Sequence, residues 1–311
     1  MPSAIHHALF FIPSMVWLCL LAIVIATPAQ ANKPQANEIF TELLSFAHMA
    51  NAAYQTESAI RQTTSAQGYT LTHYGRIPEV EVFYFLATND DTKTQRIAVR
   101  GTANVENVLV NLNMQLVADK HTGVRLHHGF ARSAEGIYRA VKPHLKPGYR
   151  IETTGHSLGG AVALALAMHL DAASFPVMRV ITFGQPKLTN TAGATAYQHL
   201  NITRVVMPKD VVPLVPFLDL TGDWRQLGER ADIYWPLGQE ILLLKGKDYA
   251  RLDEWGSLRR TTSFLNEQPS EENLRQHQMQ NYLRLIEQKR PGARLTPYQN
   301  NFNPLEWFNL N

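Results

Sequence analysis

One hexapeptide in mid-chain, Gly155-His156-Ser157-Leu158-Gly159-Gly160, restricts the fold more than any other stretch. It has the form G-x-S-x-G. Before it stands Tyr149-Arg150-Ile151-Glu152-Thr153-Thr154, rich in β-branched residues and short enough for one strand. After it stands Ala161-Val162-Ala163-Leu164-Ala165-Leu166-Ala167-Met168, built from strong helix formers. A strand that turns sharply into a helix crowds its own backbone, and a Cβ at Gly155 or Gly159 would clash there. Such a strand–turn–helix, with serine at the turn, is a nucleophile elbow. It sets Ser157 at a helix N-terminus, where unpaired N–H groups and the helix dipole favour developing negative charge.

Strand and helix signals alternate around the elbow. Glu79 to Ala87 and Arg96 to Val99 read as strands, joined by the turn-forming Asn89-Asp90-Asp91-Thr92-Lys93-Thr94. Val177 to Phe183 and Ile202 to Met207 read as buried strands, and Ile241 to Leu244 as a further one. Helical spacing runs through Glu38 to Tyr54, from Val124 to about Leu145, and from a Ser270 N-cap to about Lys289. The alternation from about residue 95 to 210 predicts βαβ units, hence an α/β fold with a mostly parallel central sheet and helices on both faces. From Val105 to Leu116 the apolar residues form a single stripe, a short amphipathic segment.

The 311 residues, 45% hydrophobic and 18% charged, suit a single domain with a large core. A net charge of +3 is too small to argue for nucleic acid. Residues 1–31 hold no Lys, Arg, Asp or Glu, and an apolar run there ends in Ala29-Gln30-Ala31. This predicts a signal peptide cut after Ala31 and a secreted or periplasmic protein, with an uncleaved N-terminal membrane anchor as the alternative. The domain would then be 32–311, with an Asn- and Pro-rich tail from about 290. Cys19, the one cysteine, lies inside the apolar run, so the mature chain would carry no disulfide, cysteine metal site or thiol nucleophile.

A serine hydroxyl needs a base to take its proton, and the base needs an orienting carboxylate. On an elbow of this kind the chain order is serine, acid, histidine. Beyond residue 210 there is one histidine, His277. His169 and His199 precede any plausible acid and violate the order. Of Asp210, Asp219, Asp223, Asp232, Asp248 and Asp253, Asp210 directly follows a buried-looking strand, where an open α/β sheet places its site. Asp232 is the next choice. A tetrahedral intermediate also needs backbone donors. Leu158 N–H follows the nucleophile, and Arg100-Gly101-Thr102 ends an earlier strand with a Thr102 N–H and hydroxyl on offer.

Taken together, Arg100-Gly101-Thr102, His128-Gly129-Phe130, the Thr154–Ala161 elbow, Thr182-Phe183-Gly184-Gln185-Pro186, Asp210-Val211-Val212-Pro213 and His277 through Tyr282 resemble the class 3 lipases, in that family's order over roughly residues 40–285. The resemblance implies an α/β-hydrolase fold and hydrolysis of lipid esters at a lipid–water interface, with no cofactor or metal. It implies Ser157, Asp210 and His277 as catalytic residues and Thr102 and Leu158 as the oxyanion hole. It also implies that the amphipathic stretch after Thr102 is a helical lid. A phospholipase A1-type or other carboxylesterase is the alternative on the same fold, and a catalytically silent hydrolase-fold binding module is the remote one. Nothing in the sequence points to a protein partner.

Overall fold

The computed structural model describes residues 36–102, 115–219, 232–263 and 270–298. The expected signal peptide, the expected lid as far as residue 114 and the end of the tail lie outside the described residues; Leu116, expected on the helical stripe of that lid, lies in a strand instead.

A nine-stranded sheet runs through the molecule in the order β1-β2-β3-β6-β7-β9-β12-β13-β14. Its centre is β3 (Thr94–Val99), β6 (Arg150–His156), β7 (Val177–Phe183), β9 (Ile202–Val206) and β12 (Gln239–Leu243), each parallel to the next. The expected parallel sheet is therefore its core. One edge is an antiparallel meander of β1 (Thr70–Ile77), β2 (Val82–Asn89) and β3. At the other, β13 (Asp248–Leu252) pairs antiparallel with β12. Arg294–Leu295 forms β14, parallel to β13, so the start of the expected tail belongs to the sheet.

Helices cover both faces. On one, α3 (His128–Val141) and α4 (Leu158–Ala172) bury a cluster that includes Ile97, Val99, Ile137 and Leu164. From Gly159 to Leu170 every residue of α4 is buried, and its alternating alanines let it lie close on the strands. On the other face α1 (Ala36–Ala52) and α8 (Met279–Lys289) pack Phe40, Leu43, Tyr282 and Ile286 against Ile181, Phe183 and Val205. Strand β6 carries a charge into this core. Glu152 is buried, and its carboxylate is met at 2.7 Å by Arg96, its register partner on β3, whose guanidinium lies over the Phe46 ring. A buried charge needs such a partner.

Several elements differ from the sequence reading for definite reasons. The segment from Val124 opens as strand β5 (Arg125–His127), and α3 starts only at His128. β5 belongs to a second, five-stranded sheet, in the order β10-β11-β8-β5-β4, with β4 at Leu116–Ala118, β8 at Thr189–Asn190, β10 at Leu218–Asp219 and β11 at Asp232–Trp235. Strands this short carry no readable period. The strand expected from Glu79 begins at Val82, because Pro78 opens a 3₁₀ turn over Pro78–Val80. The run from Ser270 to Lys289 is two helices, α7 (Glu271–Gln276) and α8, broken at His277-Gln278 where Gln278 turns extended. Glu240 on β12 is fully buried and binds Arg204 of β9 and Arg260 of α6 (Glu254–Ser263), fastening that helix to the sheet.

Candidate active site

Strand β6 ends at His156, and α4 begins at Leu158. Ser157 between them has φ 58° and ψ −134°, a conformation non-glycine residues avoid. It is held by Ser157 N–H donating to Phe183 O at 2.9 Å and by Gly160 N–H donating to Ser157 O at 2.9 Å. The glycines behave as steric reasoning requires. A Cβ on Gly155 would stand 2.3 Å from Gly159 O, and one on Gly159 would stand 2.4 Å from Val99 O. The Ser157 hydroxyl is buried and makes no hydrogen bond among the described residues.

Asp210 lies just past the C-terminal end of β9 and is fully buried. Val212 N–H donates to its Oδ1 at 2.9 Å. Its Oδ2 lies 2.7 Å from His277 Nδ1 and accepts the Tyr282 hydroxyl at 2.5 Å. A carboxylate only accepts, so His277 carries a proton on Nδ1, and in the neutral form of the ring Nε2 is the lone pair. That Nε2 is buried with no partner among the described residues. His277 is 2% exposed, so the glutamines around it in sequence do not make it a solvent-facing residue.

The break between α7 and α8 produces this arrangement. A continuous helix carries positions 277 and 282 on different sides, whereas the extended Gln278 lets His277 and Tyr282 converge on one carboxylate. Two further side chains fasten the loops. Asn273, in a capping box with Ser270, donates from Nδ2 to Lys209 O at 2.7 Å and so ties α7 to the residue before Asp210. Buried Lys187 donates its ammonium to Leu214 O, clamping the chain after Asp210. Sequence reasoning missed both roles. The Ser270-x-x-Asn273 spacing was the one local signal for the first.

The other candidates are occupied elsewhere. Asp232 pairs with Arg125 and accepts Asn190 Nδ2 at 3.2 Å, in the small sheet. His169 pairs with Asp119 at 3.2 Å, and His199 with Asp171 at 3.0 Å.

Beside the elbow is a cavity of about 630 Å³ whose lining includes Phe83, Arg100, Gly101, Thr102, Leu158 and Val162. Thr102 and Leu158 thus line the same cavity. Leu158 is the first residue of α4, so its N–H has no acceptor within the helix. Among the described residues no group of three or more His, Cys, Asp or Glu is placed to hold a metal ion, and no helix is long and apolar enough to cross a membrane.

His156, next to the serine, is buried, and its ring lies 4.7 Å from that of His277. Burial, then the His277 ring, lower its pKa to about 3. An unfolded histidine titrates near 6.5, so below that pH the unfolded chain binds a proton that the folded chain refuses. Stability from this residue is complete above about 6.5 and is lost as pH falls towards 3, with a slope of up to about 1.4 kcal/mol per pH unit. Urea melts from pH 7 to 4 on the protein and on His156→Gln should show a shallower acid loss in the variant, measured against its own neutral-pH stability. Equal slopes would contradict this assignment.

Residues 96–220 match the family Lipase (class 3). The chain is 33% identical over 141 residues to the secreted mono- and diacylglycerol lipase 1 of Fusarium solani, covering 42% of each protein. It is 24% identical over 190 residues to a chloroplastic phospholipase A1 of Arabidopsis thaliana, covering 51% of this chain and 26% of that one. It spans under half the length of these curated relatives. In three dimensions it superposes on the nonglycosylated LIP2 lipase of Yarrowia lipolytica with a TM-score of 0.56 at 22% identity, over 67% of this chain and 80% of that one, a likeness of fold. Over residues 96–220, the stretch that carries the elbow and Asp210, the chain is therefore similar to the class 3 lipases, and its fold is like that of the solved lipases.

Proposed function

We propose that this protein is a serine hydrolase of lipid carboxylic esters, working through an acyl-enzyme on Ser157. The observation that carries the reading is the pairing of a strained, buried serine with a buried histidine whose Nδ1–H is fixed by Asp210. His277 Nε2 takes the Ser157 proton as Oγ attacks the ester carbonyl, and the N–H groups of Thr102 and Leu158 receive the oxyanion. His277 returns the proton to the leaving alcohol. Water then attacks the acyl-enzyme with His277 again as base, releasing the fatty acid and restoring Ser157. Ser157 and His277 are not hydrogen-bonded here, and such contacts commonly tighten only when substrate binds.

Tyr282 shares the Asp210 oxygen that orients His277. Tyr282→Phe removes a hydrogen bond to a charged group, so kcat should fall about ten- to a hundredfold with KM little changed. Steady-state kinetics on a soluble ester checks this; an unchanged kcat would exclude Tyr282 from the constellation.

The substrate reading is an acylglycerol. A second reading, a phospholipid, is favoured by Arg100, a cationic residue of the cavity lining beside Gly101 and Thr102. Rates on triolein, tributyrin, a diacylglycerol and phosphatidylcholine separate the two. We also propose that the mature protein is exported after cleavage following Ala31. N-terminal sequencing of the cell-free protein tests this, and a mature chain starting at Met1 would overturn it.

A further inference from the structure

Three segments must keep register for the proposed reaction: the Thr102 turn, the elbow and the His277 turn. They come from distant parts of the chain. Tyr54, in the turn between α1 and α2 (Glu57–Ser65), and His156 lie where all three meet. The Tyr54 hydroxyl is 3.1 Å from Gly101 N and 2.9 Å from His156 Nδ1. His156 Nε2 is 2.7 Å from the carbonyl oxygen of His277.

The direction of each bond follows from what the atoms can do. A carbonyl only accepts, so His156 Nε2 carries the proton and donates to His277 O. His156 is buried and neutral, so its Nδ1 is a lone pair. The Tyr54 hydroxyl therefore donates to Nδ1, and its oxygen accepts Gly101 N–H. Every donor and acceptor in the line is used once. Sterics agree: a Cβ on Gly101 would stand 2.4 Å from the Tyr54 oxygen, so the phenol reaches this N–H because residue 101 is glycine. The line also decides which amide of the turn remains for substrate. Gly101 N–H is committed to Tyr54, which leaves Thr102 N–H.

We propose that Tyr54 and His156 are positioning residues that lock the oxyanion turn and the His277 turn to the nucleophile elbow through this chain of hydrogen bonds, a reading that rests on the serine-hydrolase function proposed above. Neither touches the reacting atoms. Tyr54 acts on the oxyanion turn through Gly101. His156 acts on the histidine turn through the His277 backbone and on the serine through the peptide they share.

The two halves of the lock should fail differently. A thionoester places sulfur where an ester places the carbonyl oxygen, and backbone donors set for an oxyanion stabilise developing charge on sulfur poorly. A fault confined to the oxyanion turn therefore slows the ester and spares the thionoester. A fault in the histidine turn slows both. The test measures kcat and KM for a p-nitrophenyl ester and its thionoester with the intact protein, Tyr54→Phe and His156→Asn, and a thermal melt on each. Asparagine keeps an acceptor near Nδ1 for Tyr54 but is too short to reach His277 O. For Tyr54→Phe, ester kcat should fall about ten- to thirtyfold at near-constant KM, and thionoester kcat by less than about threefold. For His156→Asn both should fall together by about fivefold or more. Equal losses on the two substrates in Tyr54→Phe, or no loss in either variant, would overturn the proposal. If Tyr54→Phe does not melt cooperatively, His156→Asn decides: a parallel loss supports the lock and an unchanged kcat overturns it. An intact protein inactive on every ester would instead defeat the hydrolase reading itself.

Discussion

Ser157→Ala should lower ester turnover by on the order of 10⁶-fold, to a residue of rate supplied by binding and the oxyanion donors alone. The size follows from the loss of the covalent path. With no Oγ there is no acyl-enzyme, and His277 has no proton to move onto a leaving alcohol. The substitution removes a hydroxyl that makes no hydrogen bond among the described residues, so the fold has little reason to suffer. Alanine also inherits the φ of 58° that serine already tolerates. The expected result is a chain with unchanged Tm and no measurable hydrolysis. A melt far below that of the native protein would mean the hydroxyl carries structural weight absent from this geometry.

Asp210→Asn should cost about 10⁴-fold in kcat with KM near its native value. Three donors converge on the carboxylate: Val212 N–H on Oδ1, and His277 Nδ1–H and the Tyr282 hydroxyl on Oδ2. An amide of nearly the same volume has one acceptor oxygen and brings two N–H donors of its own. Whichever way it sits, one existing donor faces an N–H. If the amide nitrogen faces His277, the ring must place its proton on Nε2, and the atom that should receive the Ser157 proton is already protonated. The loss falls on the chemical step, so it belongs in kcat. Paired kinetics and melts on Asp210→Asn and Asp232→Asn make the comparison internal, since Asp232 serves an ion pair with Arg125 in the other sheet. Equal effects on kcat would reject Asp210 as the orienting acid.

The parts of this site that were legible in sequence are those set by local sterics or by exclusion. Gly155 and Gly159 announce a turn that no other residue fits, and the strand and helix around them are regular enough to read. His277 is legible because no other histidine follows residue 210. In sequence, only its place after a strand sets Asp210 ahead of Asp232, and the separation of the two is a long-range fact: Arg125 and Asn190 claim Asp232 from 107 and 42 residues away. Residues that act across such distances leave no local trace. Tyr54 reads as the end of an amphipathic helix, yet its hydroxyl lies on a turn 47 residues on. The break at His277-Gln278 was hidden because the residues on either side favour helix, and only the pull of Asp210 on two side chains explains it. The small sheet is not legible in sequence because its strands are two to four residues long and are held by partners elsewhere in the chain.

The proposed reaction requires a covalent intermediate on Ser157 with His277 as its base. Labelling the intact protein with a fluorophosphonate and locating the adduct by peptide mass spectrometry tests it most directly. One adduct is expected, on the peptide bearing Ser157, absent from Ser157→Ala and from urea-unfolded protein, and formed far more slowly in His277→Ala. An adduct on another residue, or undiminished ester hydrolysis by Ser157→Ala, would contradict it.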